Sequence, residues 1–139
     1  MSEHGLDKVI LLDEIQTCLP DPVRDEEQID GSRVLVGGDP GEVIVRVSSN
    51  KISIAVFSIC WEGPHTPVVR PKQLATLNWK RLPASRSMMV LHNLVESACE
   101  IRRAKYRKCE RCGETNPPEW MHGDGICQSC AERHLGVTH

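Results

Sequence analysis

The chain has 139 residues, 40% of them hydrophobic and 26% charged, and a formal net charge of -2 at pH 7. This length suits one domain, or one domain with a small metal-stabilised appendage, and the composition is ordinary for a soluble globular chain. No apolar run approaches the roughly 18 residues of a transmembrane helix, so we expect no membrane partner. The first residues lack the basic and apolar regions of a signal peptide, which predicts a cytoplasmic protein.

The small net charge conceals an uneven distribution along the chain. Residues 1–30 contain nine acidic and two basic side chains, whereas residues 70–111 contain eleven basic and three acidic ones. The two regions can attract each other. We interpret residues 20–31, which begin with Pro20 and Pro22, as a solvated loop. An acidic arm that folds over the basic region, or mimics nucleic acid, is the alternative.

Residues 5–19 have a weak helical pattern. Four apolar side chains would share one face of this helix: Leu6, Val9, Ile10 and Ile15. Residues 9–12 are all apolar, however, and could equally form a short strand. A helix here should end before Pro20, since proline at this point stops a helix.

From residue 32 the pattern becomes that of strands. Residues 33–36 form a short, largely apolar segment, residues 37–41 predict a turn, and the valines at 43, 45 and 47 alternate with other side chains. Residues 52–61 are largely apolar at both odd and even positions, as in a strand that is covered on both faces. We therefore predict a small antiparallel sheet with residues 52–61 as its central strand.

Prolines at positions 64, 67 and 71 predict an irregular crossing over residues 62–71, and residues 72–82 should form a turn of helix and a brief strand. Cys60 and His65 are close enough in sequence to act as a nucleophile and its base. A thiol at the end of a buried strand is usually inert, however, and no third residue can be identified that would orient the histidine. We therefore do not favour an enzyme.

A long helix is predicted from Ser85 to Lys108. Five apolar residues recur at three- and four-residue steps and define a stripe that should pack across the sheet: Leu91, Leu94, Val95, Ala98 and Ile101. The last two turns should leave the core. On the other face, His92, Glu96 and Cys99 share one side and could form a metal site, although such a set is more often solvated.

Two Cys-x-x-Cys pairs, separated by 14 residues, follow the helix. They are Cys109, Cys112, Cys127 and Cys130. The spacing is typical of a structural zinc site, because each pair spans one tight turn and four thiolates leave no position for a catalytic water. His122 or His134 could replace one cysteine. Two disulfides are the alternative, but they need an oxidising compartment, and seven cysteines would leave one thiol unpaired.

The neighbouring residues predict a zinc finger of the treble-clef or ribbon type. Gly113 permits the positive φ of a tight turn after the first pair, and residues 123–125 predict a hairpin turn. A helix should start near Cys127 and end at Gly136. Trp120 would cover the metal site in so small a unit, or else bind a ligand.

The segments 108–113 and 126–132 resemble the zinc finger of the DksA/TraR family, whose members act on RNA polymerase. The resemblance covers about residues 106–135 and implies a zinc finger and a transcriptional partner. That family places its finger beside a long helical hairpin with acidic residues at the tip, whereas one helix and a strand-rich segment precede the finger here. Residues 117–137 also look like the ending of some uncharacterised bacterial zinc-ribbon proteins.

Six cations lie around the predicted end of the long helix and the first cysteine pair. This basic collar consists of Arg102, Arg103, Lys105, Arg107, Lys108 and Arg111. Cations around a zinc module are the usual footprint of phosphate recognition. However, they surround the helix axis instead of forming one stripe, and the helix dipole also favours cations at a C-terminus. We expect a protein partner first and a nucleic acid as the alternative.

Together these patterns predict an α+β protein in three parts: an acidic N-terminal segment (1–31), a small antiparallel sheet packed on a long helix (32–105) and a four-cysteine zinc finger (106–139). We expect a zinc-binding interaction or regulatory adaptor that contacts a macromolecule through the basic collar and the finger. Direct nucleic-acid binding is the second hypothesis. A small enzyme that uses Cys60, His65 or His92 is the third.

Overall fold

The computed structural model describes residues 8–61, 66–81, 83–122 and 125–136. Within these residues, a sheet with flanking helices precedes a small cysteine-rich unit, which confirms the predicted α+β class. The elements before that unit are α1 Lys8–Cys18, β1 Val23–Glu27, β2 Arg33–Gly37, β3 Val43–Val47, β4 Lys51–Val56, β5 Ile59–Trp61, β6 Pro67–Val69, β7 Lys72–Asn78 and α2 Ala84–Ala104.

Five of these strands form one antiparallel sheet in the order β1-β2-β3-β4-β7, so β3 is the central strand. The register places Leu35, Val45 and Ile54 beside one another on three adjacent strands. All three side chains are fully buried. The alternation of valines along β3 therefore predicts correctly which face of the sheet forms the core.

The long helix α2 packs across this face of the sheet. Leu91, Val95 and Ala98 are buried against it, as the apolar stripe predicts. Ile101, which was expected to continue the stripe, is 40% exposed, whereas Arg102 is buried. Arg102 lies four residues after Ala98 on the same side of the helix, so the inward face continues to a charged residue and the prediction for Ile101 is wrong.

Helix α1 lies beside α2 over the same core. The predicted helix is confirmed over residues 8–18, and the alternative of a short strand is wrong. Leu11 and Ile15, one turn apart, are fully buried, whereas Val9 and Ile10 are exposed. The predicted apolar face is therefore correct only for Ile15; Leu6 lies outside the described residues.

Residues 23–27 form an edge strand where the sequence predicts a solvated loop. Their side chains are largely exposed, so they lack the apolar alternation that reveals most strands. Polar contacts replace it, because the Asp25 carboxylate accepts hydrogen bonds from Arg33 Nε on β2 (2.9 Å) and from Gln16 Nε2 on α1 (3.2 Å). The N-terminal part of the chain is thus packed with the sheet.

The predicted strand over residues 52–61 is two strands. The first of them, β4, lies inside the sheet but not at its centre, and β5 leaves the sheet to pair with β6. On the face opposite the helices, Ile44, Ala55 and Phe57 form a second small cluster, against which Ile59 packs. Because this cluster covers the second face of the sheet, the segment is apolar at both odd and even positions. One continuous strand, β7, replaces the predicted turn of helix and brief strand.

Among the described residues, no helix combines the length and the apolar content that crossing a membrane requires.

Candidate metal centre

The cysteine-rich unit, residues 107–136, follows α2 directly. It consists of β8 Arg107–Lys108, β9 Thr115–Asn116, a 3-10 turn Pro118–Trp120, β10 Met121–His122, β11 Ile126–Cys127 and α3 Gln128–Leu135. Helix α2 ends at Ala104, four residues earlier than predicted, because residues 107–108 pair with β9 instead. The hairpin of β10 and β11 confirms the predicted reversal, although residues 123 and 124 lie outside the described residues.

The first cysteine pair lies in the turn between β8 and β9. Gly113 has a φ of 77°, which confirms the predicted positive value, and its N–H donates to the Cys109 carbonyl at 2.9 Å. Three backbone N–H groups converge on Cys109 Sγ, those of Arg111 (3.4 Å), Cys112 (3.5 Å) and Cys127 (3.4 Å). The N–H of Cys112, helped by the other two and opposed by burial, lowers the pKa of Cys109 to about 6.

The second cysteine pair lies where a hairpin strand becomes a helix. Cys127 ends β11 and is the N-cap of α3, and Cys130 lies in the first turn of that helix. Gly136 has a φ of 70° and ends the helix, as predicted. The unit therefore runs from a knuckle, the turn that carries Cys109 and Cys112, to a hairpin and then to a helix.

The four cysteine sulfurs lie within 4.8 Å of one another. Cys112 Sγ and Cys127 Sγ are 3.9 Å apart, which is too far for a disulfide of about 2.05 Å. In a tetrahedral site with metal–sulfur bonds of about 2.3 Å, adjacent sulfurs are about 3.8 Å apart. The four thiols are therefore placed to hold one metal ion.

The environments of the sulfurs also favour a cation. Cys109, Cys127 and Cys130 are buried, whereas Cys112 is exposed. Burial, together with the neighbouring thiols, raises the pKa of Cys130 to about 12. The backbone N–H groups thus stabilise a thiolate at Cys109, but a second buried thiolate needs a positive charge among the sulfurs. A metal ion supplies that charge, and its binding then contributes to folding.

Trp120 lies on the surface of the cysteine-rich unit, beside Cys127. Its side chain is 46% exposed, and the apolar residues that pack against the cysteines are Met121 and Ile126. The covering role of Trp120 stays a prediction. Trp120 lines a depression of about 320 Å³ with Asn116, Cys127 and Gln128, so the alternative of a ligand-binding aromatic also stays a prediction.

The other candidate ligands do not form a second metal cluster in the described part of the chain. His92 Nε2 lies 2.7 Å from Glu14 Oε2 of α1, and it lines a surface pocket with Glu96 and Cys99. Within the described residues, the four finger cysteines form the one group of three or more side chains placed to share a metal ion, so the alternative of a metal site at His92, Glu96 and Cys99 is not formed. Cys60 is exposed, and His65, the other member of the disfavoured nucleophile–base pair, lies outside the described residues.

Arg102 of the basic collar is buried, so the prediction that it lies on the surface is wrong. Its Nη1 donates to Glu119 Oε1 at 3.0 Å, its Nη2 donates to Glu119 Oε2, and its Nε donates to the Gly41 carbonyl at 2.9 Å. The guanidinium also lies 5.2 Å from the ring centroid of Phe57 and 5.3 Å from that of Tyr106. A buried charge needs such partners, so this side chain is occupied within the chain.

Two other collar residues have contacts within the chain, although their side chains are exposed. Arg103 Nε donates to Glu42 Oε1 at 2.7 Å, and Arg107 Nη1 donates to the carbonyl of Tyr106 at 3.2 Å. Lys105 lies beside Lys72, whose charge lowers the pKa of Lys105. The roles of these exposed cations in partner binding stay predictions.

Arg133 is a cation near the cysteines that the sequence patterns did not single out. It lines a depression of about 430 Å³ together with Arg111, Cys112 and Cys130. Its position three residues after Cys130 in a predicted helix was the available signal, because residues at this spacing share a helix face. The finger therefore presents one arginine from the knuckle and one from the helix.

No protein-family model, characterised protein or solved structure matches this chain. The likeness of residues 106–135 to the DksA/TraR finger is therefore a likeness in a short motif. What the geometry supports is an α+β fold with a four-cysteine cluster that could bind a metal ion.

Proposed function

We propose that this chain is a zinc-binding interaction or regulatory adaptor, in which a structural metal holds a cationic surface that contacts a macromolecular partner. The observation that carries the proposal is the position of Arg111 and Arg133 beside Cys112 and Cys130, around one depression. One arginine belongs to the knuckle and the other to α3, so a metal bound by both cysteine pairs would fix the relative positions of the two backbone segments that carry them.

Zinc is the proposed ion because four thiolates in a tetrahedral arrangement suit Zn²⁺, with iron as the competitor for the same donor set. Cys109, Cys112, Cys127 and Cys130 would all be ligands, which leaves no position for water or substrate. The metal would therefore contribute to folding and not to a reaction. This supports a binding protein over the enzyme hypothesis.

An acidic group on another protein is the partner that the depression lined by Arg111 and Arg133 favours. The proposed contact surface is limited to one small unit, with Lys108, Arg111 and Arg133 exposed on it. The chain as a whole has a net charge of -2, so it does not attract polyanions in general. Arginine also binds carboxylates through two parallel hydrogen bonds, which gives a small surface specificity.

Nucleic acid is the second candidate, and Trp120 is the observation that favours it. This side chain is 46% exposed on the same unit as the two arginines. Exposed aromatic side chains next to cations are how proteins bind single strands, because bases stack on the ring while the cations contact phosphates. Binding of this kind weakens steeply as salt increases.

The test is to capture partners from native lysate with three purified forms of the chain. These are the wild type, the double variant Arg111→Gln/Arg133→Gln and a control, Arg81→Gln/Arg86→Gln, which removes two exposed cations of the sheet and helix part. We expect the first double variant to keep its metal content but lose the partner, and the control to keep both. Capture that is equal in all three forms would remove the finger surface from the proposal.

Nuclease treatment of the lysate separates the two candidates. A protein partner should survive the treatment, whereas capture that depends on intact nucleic acid supports the second candidate. RNA polymerase, the partner that the DksA/TraR resemblance implies, is the first protein to test directly. In the described residues no helical hairpin lies beside the finger, so we expect any contact with the polymerase to depend on Arg111 and Arg133.

A further inference from the structure

The edge strand β1 has one side without a partner in the described part of the chain. It pairs with β2 on its inner side, and no described element pairs with the other side. Its five residues are largely exposed. Unpaired edges are sites where another strand can add to a sheet.

The hydrogen bonds that flank the β1–β2 ladder show which backbone groups point to the open side. Gln28 N–H donates to the Ser32 carbonyl at 2.8 Å, and Gly38 N–H donates to the Pro22 carbonyl at 3.0 Å. Bonded and non-bonded pairs alternate along an antiparallel ladder, so Arg24 and Glu26 bond to β2. The N–H and C=O groups of Val23, Asp25 and Glu27 therefore point to the open side.

The side chains of β1 alternate between the two faces of the sheet. Arg24 and Glu26 lie opposite Val36 and Val34, on the face away from the helices, where all four residues line a groove of about 430 Å³. Asp25 lies opposite the buried residue Leu35, on the helix side. The outer face of β1 thus carries one positive and one negative side chain, two residues apart.

We propose that β1 pairs with β1 of a second copy of this chain, antiparallel and about a twofold axis at Asp25. In this register, Arg24 lies opposite Glu26 of the partner subunit, and Glu26 lies opposite Arg24 of the partner subunit. The outward backbone groups of Val23, Asp25 and Glu27 become a hydrogen-bonded ladder, and the two sheets become one. Opposite charges directly across two strands stabilise their pairing.

The charged side chains of β1 favour this register over those with the twofold axis at Arg24 or at Glu26. An axis at Arg24 would place two arginines opposite each other, and an axis at Glu26 would place two glutamates opposite each other. The axis at Asp25 brings two aspartates together, but each carboxylate is already paired with Arg33 of its own chain. Charged residues on an edge strand usually prevent association; here they are self-complementary in one register.

Apolar surface lies on both sides of the open edge. On the outer face, Ile59 and Val69 line the groove next to β1. On the helix side, Val9 is 66% exposed and lies two turns before Gln16, whose side chain contacts Asp25. A second copy at this edge would bring its own Val9 and its own groove beside these surfaces, so both faces of the joined sheet gain apolar neighbours.

The test is sedimentation of the full chain over a wide range of concentrations. The wild type should show a monomer–dimer equilibrium. Arg24→Glu should weaken the dimer by roughly tenfold or more, because symmetry turns two attractive pairs into two repulsive ones. Glu26→Arg should do the same. The double variant Arg24→Glu/Glu26→Arg should restore dimerisation, since it exchanges the charges without changing the register.

A backbone variant tests the ladder itself. Glu27→Pro removes an N–H that points to the open side and takes no bond from β2, so the fold should persist while the dimer weakens. Arg81→Glu changes the charge elsewhere and should leave the dimer unaltered. Three results would each overturn the proposal: a chain that is monomeric at every concentration, a dimer that tolerates both single exchanges, and a double exchange that fails to restore the dimer.

Discussion

Arg102, in the last turn of α2, forms two hydrogen bonds with the carboxylate of Glu119, in the 3-10 turn of the cysteine-rich unit. Both side chains are only 3% exposed. Arg102 also donates to the carbonyl of Gly41, between β2 and β3. The long helix, the sheet and the cysteine-rich unit therefore meet at one buried ion pair.

Glu119→Gln should lower the free energy of unfolding by about 3–5 kcal/mol, because it leaves a buried guanidinium without its counter-charge. Urea unfolding of the metal-loaded protein measures this loss. Arg103→Gln, one residue further along α2, is the matched control. It breaks the exposed pair with Glu42 and should cost about 1 kcal/mol or less. Equal losses in the two variants would contradict a special role for the buried pair.

Removing the metal should destabilise the end of α2 as well as the cysteine-rich unit. When a chelator releases the unit, Glu119 is no longer held against Arg102, so the last turn of α2 and the residues around Gly41 should also lose protection from hydrogen exchange. Strands β3 and β4 should stay protected, since their core is formed with the helices.

The variant Glu119→Gln provides the control for this coupling. In this variant, hydrogen exchange at the end of α2 should already be fast before chelator is added, and the chelator should change it little. If the wild type loses protection only within residues 107–136, the ion pair does not transmit metal binding to the helix. Loss of protection throughout the sheet would instead mean that the chain unfolds as one unit.

One metal ion per chain is expected, bound by Cys109, Cys112, Cys127 and Cys130. Replacing any one of them by serine should remove most of the bound metal, because a structural zinc site needs all four ligands. Serine variants of the other three cysteines, Cys18, Cys60 and Cys99, are the controls and should keep full occupancy. Metal analysis of purified proteins decides this, and full occupancy in a finger variant would exclude that cysteine as a ligand.

Stability should fall as the pH rises from 9 to 11. Burial raises the pKa of Cys18 and of Cys99 from 9.0 to about 11, so the folded state holds these thiols protonated after the unfolded state has lost their protons. Their contribution to stability is complete below pH 9 and is lost as the pH approaches 11. Urea unfolding of the metal-loaded protein between pH 9 and 11 should show a smaller decline in the free energy of unfolding for Cys18→Ala and for Cys99→Ala than for the wild type. An unchanged decline in both would contradict the assignment.

Features that depend on local pattern could be predicted from the sequence. The valines of β3 alternate because one face of the strand is buried, and Leu91, Val95 and Ala98 repeat at helical spacing because one face of α2 is buried. The cysteine spacing predicts the cluster for a similar reason, since each pair spans a single turn and Gly113 permits the backbone of the first. Each signal lies within a few neighbouring residues.

Features that depend on distant charges could not be predicted in this way. β1 is held by contacts of Asp25 to residues nine positions before it and eight after it, and Arg102 is buried because Glu119 returns to it from 17 residues further along. Arg102 looked like a surface cation because its neighbours in sequence are cations. Its place on the inward face of α2, eleven residues after Leu91, was a signal that it needs a buried partner.

The buried pair of Arg102 and Glu119 limits which residues can replace Gly41. A β-carbon at position 41 would lie 2.6 Å from the ring of Phe57, so the ring would have to shift, and this ring also contacts the Arg102 guanidinium. Gly31 differs, since it has open space but a φ of 85°. A library of variants selected for folding should therefore accept asparagine at position 31, which tolerates positive φ, and return glycine alone at position 41.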